Sequence, residues 1–410
     1  MSQPKIAIIG AGAAGMMAAI QCGLRGISVE VFDSQKNIGK KILIAGGGRC
    51  NITNHDMSED HFNCENKRFV KNILKHLPLK ETLQYFESRQ LPLKLEPEFN
   101  KYFPVSDKAE DVLNTFVAHL EELKIQLHRE SRITNISKSE TDYTLTINEK
   151  TKQNFDILVL CTGGKSIPQT GSNGLGYEFA KKMGHQINEL TPALTPLLSE
   201  AAHLSVLSGY SLPGEISLYE NEEKVISFKG PILFTHKGYS GPAILNISRH
   251  FITSKCSDKS LRVNWLPGYQ KESLMVLWKQ PEYRKKSLLA FLREKFSRQF
   301  ADILIEESGL ISDLTLSEIN KEQRQKIFSI LFSYSLLISG FKGFAFAEVT
   351  SGGIPIPEIN PKTLESKLSK NLYFAGEIID VDGQLGGYNF QWAFASATCV
   401  ANAIKNSQIK

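Results

Sequence analysis

Three short apolar runs, each closed by glycine, punctuate this chain. Ile6 to Ile9 is continuous and ends at Gly10, as expected of a strand buried on both faces. Phe155 to Leu160 runs into Thr162-Gly163-Gly164, and Asn371 to Ala375 runs into Gly376-Glu377. Ser28 to Asp33 reads as a further strand, and the stretch before it, to about Leu24, as a helix. Helical spacing returns in Phe69 to Leu77, Lys80 to Ser88 and Ala109 to Leu123, the last with acids early. Ile125 to Leu127, Arg132 to Ser137 and Tyr143 to Ile147 alternate like meander strands. The composition shifts near Thr191 to Pro196. From about 194 to 268 short strands and turns are expected. From about 270 to 340 the pattern is helical, with Pro281 dividing two segments and Leu316 to Leu337 forming a longer one. Phe390 to Lys405 predicts an unbroken helix.

The first run carries a motif. Gly10, Gly12 and Gly15, with Ala13 and Ala14 among them, stand as G-x-G-x-x-G between strand and helix. In that setting the first glycine allows a tight turn, the second lets a pyrophosphate reach the backbone, and the third lets helix and strand pack closely. The helix N-terminus adds amide donors and a positive dipole. Asp33 ends the second strand, where an acid binds a ribose hydroxyl. With no arginine beside it, a free 2′-hydroxyl is favoured, as in FAD or NAD.

The other two runs suit the far end of a long cofactor. Glu377 or Asp380 could hydrogen-bond a ribityl chain. Gly386, Gly387, Tyr388 and Asn389 open the last helix, whose amides would face a flavin's pyrimidine edge and whose dipole would stabilise the anionic reduced ring. In the Lys40 to Asn54 loop, Gly46, Gly47 and Gly48 permit close backbone approach. Arg49 and Asn51 offer donors to phosphate or flavin carbonyls.

On these stretches the sequence resembles the aminoacetone oxidase family, or BaiN-like NAD(P)/FAD-dependent oxidoreductases. The resemblance is carried by Lys40 to Asn54, Phe103-Pro104 with Ala109, Thr162-Gly163-Gly164, Thr235-His236 with Ser240-Gly241-Pro242, Thr350 with Gly352-Gly353, and Gly386 to Asn389 with Gln391-Trp392-Ala393. It covers essentially the whole length. It implies non-covalent FAD, held also by Lys40, Lys41, Gly47, Gly48 and Cys50, with the backbone at Ile133 meeting the adenine. It departs from the family at Asp33, where glutamate is more frequent, and at Leu175, where an acid is frequent.

The fold class is therefore α/β: a discontinuous Rossmann-like FAD-binding domain over 1–192 and 346–410, interrupted by an inserted substrate-side domain over 193–345. The insert has no second G-x-G-x-x-G, so NAD(P)H would act as a transient co-substrate. The expected activity is hydride transfer between a small molecule, or NAD(P)H, and flavin.

For catalysis the candidates are Tyr388, Asn389 and His236; His236 could equally hold its own loop. Cys50 is a reactive thiol or a buried inert one. The six cysteines are at least 14 positions apart, which excludes a C-x-x-C dithiol, and no cluster has metal spacing. The net charge of +5 is too small to imply nucleic acid without a local patch. One basic stretch, Lys279, Arg284, Lys285, Lys286, Arg293, Lys295 and Arg298 with Trp278, Tyr283 and Phe291 interleaved, keeps open an RNA-associated flavoenzyme similar to tRNA-modifying FAD proteins. No run is long enough for a membrane span, and a cytoplasmic location is expected.

Overall fold

The computed structural model describes residues 3–408. The chain forms two compact units: Met1–Pro192 with Phe344–Lys410, and Ala193–Gly343.

The first unit is built on a five-stranded parallel sheet. β1 (Ile6–Ile9) lies at its centre, flanked by β2 (Glu30–Phe32) and β4 (Ile157–Leu160); β3 (Gln126–His128) and β5 (Leu372–Phe374) form the edges, in the order β5-β4-β1-β2-β3. Ile8 pairs with Val159 on one side and Val31 on the other. All four residues of β1 are buried, the signature of a strand covered on both faces. Helix α1 (Ala13–Leu24) is apolar nearly all round and buried from Ala14 to Cys22. It packs against the closing helix α2 (Tyr388–Gln408), so both of its faces are covered.

Two expectations change here. Residues 126–128 do not join a meander; they extend the parallel sheet beside β2. The run Phe155 to Leu160 is two strands. Thr151–Phe155 closes an antiparallel three-stranded sheet with Tyr143–Ile147 and Ile133–Lys138, and the chain turns at Asp156 before β4. Reciprocal bonds fix that turn: Lys5 N donates to Asp156 Oδ2 at 2.7 Å and Asp156 N to Lys5 O at 2.9 Å.

The second unit has its own core around Phe234, Trp265 and Phe300. Its sheet is antiparallel and seven-stranded. A long hairpin, Ser211–Glu220 with Glu223–Thr235, dominates it, in place of the short strands expected. A helix, Pro242–Thr253, interrupts the expected β region. The segment 316–337 is not one helix: Lys321–Phe332 is helical, and Tyr334–Leu336 adds a sheet edge. Buried Trp278 and Phe291 belong to this core, with ring centroids 5.8 Å apart.

Candidate functional site

Chain-distant segments meet at the C-terminal end of the parallel sheet. Gly10 (φ +102°) turns the chain so tightly that a Cβ there would lie 2.5 Å from the Cys161 carbonyl oxygen and 3.2 Å from Thr162 Cα. A Cβ on Gly15 would lie 1.8 Å from Gly10 O. Gly376 approaches α1 from the other side, where a Cβ would come within 2.8 Å of Ala14 Cβ. Gly12 differs: a Cβ on it would meet nothing within 4 Å. Its backbone faces open space at the helix start, as phosphate approach requires.

Asp33 holds this turn as well as ending β2. Its Oδ2 accepts from Ala11 N at 2.7 Å and its Oδ1 from Gln35 N at 2.8 Å. Burial pushes its carboxyl up, against the pull of those amides and of Lys40. Ser131 N donates to Asp33 O at 2.8 Å, which draws the strand beginning at buried Ile133 toward the same end.

Beyond the turn lies a hydrogen-bonded acid. Glu377 accepts from Lys41 Nζ (2.8 Å), Ser166 Oγ (3.0 Å) and Thr350 N (2.7 Å). Burial alone would raise its carboxyl, but Lys41, Thr350 and Ser166 hold it below the ordinary value. Asp380 is likewise engaged, accepting from Asn188 Nδ2 (2.7 Å) and Gly352 N (3.1 Å). Lys40 Nζ donates to Gln35 Oε1 at 2.7 Å. Thr162 Oγ1 and Ser172 Oγ, in contrast, are buried without a partner. Buried hydroxyls without a protein partner are the exception in folded chains, and each needs an explanation. Ser172 lies beside Gly163, where a Cβ would stand 2.8 Å from its hydroxyl.

The glycine loop behaves partly as expected. Gly46, Gly47 and Gly48 all take positive φ, at 58°, 69° and 86°. Arg49 is engaged by acids and a ring of its own unit. It pairs with Glu96 and with Asp107 (2.8 Å), and its guanidinium lies 4.0 Å over the Phe103 ring. Cys50 is buried and burial pushes its thiol up, which removes the reactive reading. Asn51 donates to the Thr53 and Tyr102 carbonyls (3.0 and 3.2 Å) and accepts from Gly387 N at 3.1 Å. That Gly387 amide is therefore taken by protein.

Two of the catalytic candidates are engaged with neighbouring protein groups. Asn389 clasps the 383 turn, accepting from Gly383 N (2.8 Å) and donating to Gly383 O (2.9 Å). Tyr388 is 5% exposed, stacked 4.6 Å from His61, and burial pushes its hydroxyl well up. His236 lies in the second unit, exposed at the turn between two strands, and makes no hydrogen bond among the described residues. The basic stretch is also in that unit. Lys286 pairs with Glu294, and Arg293 with Asp302 at 2.7 Å; Trp278 and Phe291 are core, not stacking platforms. Sequence reasoning missed Ser166 and Ser172, neither of which sits in a spaced motif.

A parallel sheet with G-x-G-x-x-G at its central strand, an acid ending the next, and two further glycine turns closing on the same point defines a Rossmann-type FAD-dependent oxidoreductase. A family model described as "HI0933-like protein Rossmann domain" matches residues 4–403, and the chain belongs to that family. It is 32% identical over 405 residues, 97% of each chain, to a ribosomal RNA dihydrouridine synthase of Haemophilus influenzae. It is 32% identical over 400 residues, 96% of each chain, to an Escherichia coli protein of the same description. Its identity to a 3-dehydro-bile acid delta(4,6)-reductase of Clostridium scindens is 31% over 407 residues, 97% of this chain and 98% of that one. No helix among the described residues is long and apolar enough to cross a membrane.

Proposed function

We propose that this protein is an FAD-dependent reductase that saturates a carbon–carbon double bond conjugated with a carbonyl. The observation that carries the FAD reading is the meeting of residues 10–15, 162–164 and 376–377 at one point, with the Thr162 and Ser172 hydroxyls left orphaned there. The Gly12 backbone and the start of α1 would hold the pyrophosphate, and Asp33 the ribose on its free lone pairs. The Thr162 and Ser172 hydroxyls would bond the remaining chain of the cofactor. FAD, when bound, supplies hydride-transfer chemistry.

The relatives support this reaction class. Dihydrouridine is uridine with its 5,6 double bond saturated, and a delta(4,6)-reductase of a 3-keto steroid saturates a conjugated diene. Each double bond saturated takes one hydride at its end farther from the carbonyl (the β carbon in uracil and for the 4,5 bond of the steroid, the δ carbon for its 6,7 bond) and one proton at the nearer end. NAD(P)H is the electron source proposed, one equivalent per double bond. The chain's own part is to bind the carbonyl with a donor, hold the double bond in place and exclude water. A small-molecule enone is one substrate class, supported by the bile acid relative. A uracil ring within RNA is the second, supported by the two relatives of the higher identity.

The test is a visible spectrum of the purified protein, repeated anaerobically with NADH or NADPH. A flavin spectrum that bleaches with nicotinamide and recovers on adding a conjugated ketone or a uridine-containing RNA is expected. A protein that takes up no FAD refutes the cofactor reading. A flavin that nicotinamide leaves oxidised refutes the reductase reading.

A further inference from the structure

In the second unit a cavity opens where two paired strands part. Ser211–Glu220 pairs with Lys259–Asn264 only from Glu215 onward, and the outermost match is Glu215 with Asn264. Before Glu215 the strand keeps its other neighbour, where Pro213 stands opposite Pro231 and neither ring nitrogen can donate. After Asn264 the chain leaves the sheet. Leu266 N donates to Asn264 Oδ1 at 2.9 Å, and Trp265 N donates at 2.9 Å to Leu331 O in the helix Lys321–Phe332. The gap between Pro213 and the departing 265–269 segment is closed by Lys295 and Phe296, at the end of the helix Leu288–Lys295. Its volume is about 190 Å³.

The wall grades from an apolar floor to a polar mouth. Leu212, Trp265, Leu266 and Phe296 are buried, Tyr269 and Lys295 half-buried, and Pro213 exposed. Two donors belong to it. Trp265 Nε1 is buried without a partner, which is costly unless an acceptor meets it. Lys295 Nζ donates to the Tyr269 hydroxyl at 2.9 Å and lies 5.1 Å over that ring. An ammonium carries three N–H donors, so two remain. Lys286 and Arg293 of the same basic stretch are paired with acids, whereas Lys295 makes no ion pair among the described residues.

A ligand for this wall needs an apolar body, an acceptor and a negative charge. A dry cavity of about 150 Å³ holds a benzene ring, so one substituted six-membered ring fits here and a long acyl chain does not. Water suits the floor poorly, because a buried water needs about two to four polar partners. A small inorganic anion would pair with Lys295 and leave the floor uncovered. A neutral arene would cover the floor and leave the ammonium without a counter-charge. We propose that the cavity binds a small aromatic carboxylate, its ring on the Leu212, Leu266 and Phe296 side chains, its carboxylate at Lys295, and an oxygen accepting from Trp265 Nε1. All of these residues belong to the second unit, so the site stands or falls independently of the reductase reading.

The full-length protein is titrated calorimetrically with benzoate, with benzamide, which has the same shape and no charge, and with acetate, which lacks the ring. Benzoate is expected to bind saturably and about tenfold more tightly than either comparator. Lys295→Met keeps an apolar stem and removes the charge. It should bring benzoate down to the benzamide level while leaving benzamide within about twofold. Trp265→Phe keeps a ring and removes the N–H, and should weaken benzoate by about fivefold. Trp265 also packs in the core against Phe234 and Phe300, so the half-buried Lys295 carries the test should that variant fail to fold. The absence of saturable benzoate binding would overturn the proposal. Equal affinity for benzoate and benzamide would overturn it too. Benzoate binding that Lys295→Met leaves unchanged would place the anion at another site and do the same.

Discussion

Gly12 and Gly15 lie three residues apart and serve opposite needs. Gly15 is demanded by the fold, since an alanine there would drive a methyl into the Gly10 carbonyl at 1.8 Å. That contact is with backbone and cannot be relieved by a rotamer change. Gly15→Ala is expected to destabilise the protein by roughly 3 kcal/mol, read as a lowered urea midpoint. Gly12 has φ −82° and an empty neighbourhood, so Gly12→Ala should leave the urea midpoint unchanged. Its methyl would instead fill the phosphate approach and weaken FAD binding by about tenfold or more, measured by flavin fluorescence. Arg49 gives a contrasting expectation. With its guanidinium committed to Glu96 and Asp107 and one third exposed, Arg49→Ala should cost about 1 kcal/mol or less and leave FAD affinity intact. The glycines were legible because spacing alone constrains them. The ion pairs of Arg49 were not legible because its partners lie 47 and 58 residues away, and nothing local marks them.

Between elements, buried hydrogen bonds tie together what the sheet does not. His185, just past the helix Leu175–Lys182, bonds Glu358 through Nδ1 at 2.8 Å and Ser366 through Nε2 at 2.7 Å. This joins the helix end to the 356–371 segment that leads into β5. Burial lowers the His185 pKa from 6.5, with Glu358 opposing. The folded form thus prefers the neutral ring, and the unfolded chain takes up the proton first as pH falls. Its contribution is full above pH 6.5 and is lost as pH falls from there to the lower folded value. Glu377, held below its ordinary 4.5, adds a second loss that begins only below that pH. Melting temperature should therefore fall between pH 7 and 5, and His185→Gln should flatten that slope while lowering the melting temperature at pH 7. An unchanged slope would show that His185 does not titrate across this range. At this scale the pattern of the chain was informative for α1, the helices near 70–88 and 109–122, and α2, whose apolar spacing is regular. It misled at 155–160, where one apolar run is shared by two sheets. It misled again at 316–337, where the helical period continues into an edge strand.

For the molecule as a whole, each unit has its own hydrophobic core, and the cradle proposed for FAD is drawn from residues of the first. FAD should raise the unfolding transition of that unit by mass action, by about 2.7 kcal/mol at a hundredfold excess over the dissociation constant. Calorimetry with and without added FAD checks this, and a transition indifferent to FAD would deny the cradle its ligand. Sequence alone determined the α/β class and the glycine turn after the first strand, since glycine spacing and strand hydrophobicity are local properties. The tertiary structure decided which polar groups remain available to a ligand. Asn389, Glu377 and Asp380 read alike as candidates along the chain, and folding engages all three with protein partners. It leaves the Thr162 and Ser172 hydroxyls without a protein partner. Hydrogen-bond satisfaction depends on neighbours hundreds of residues distant, so only the folded chain could settle it.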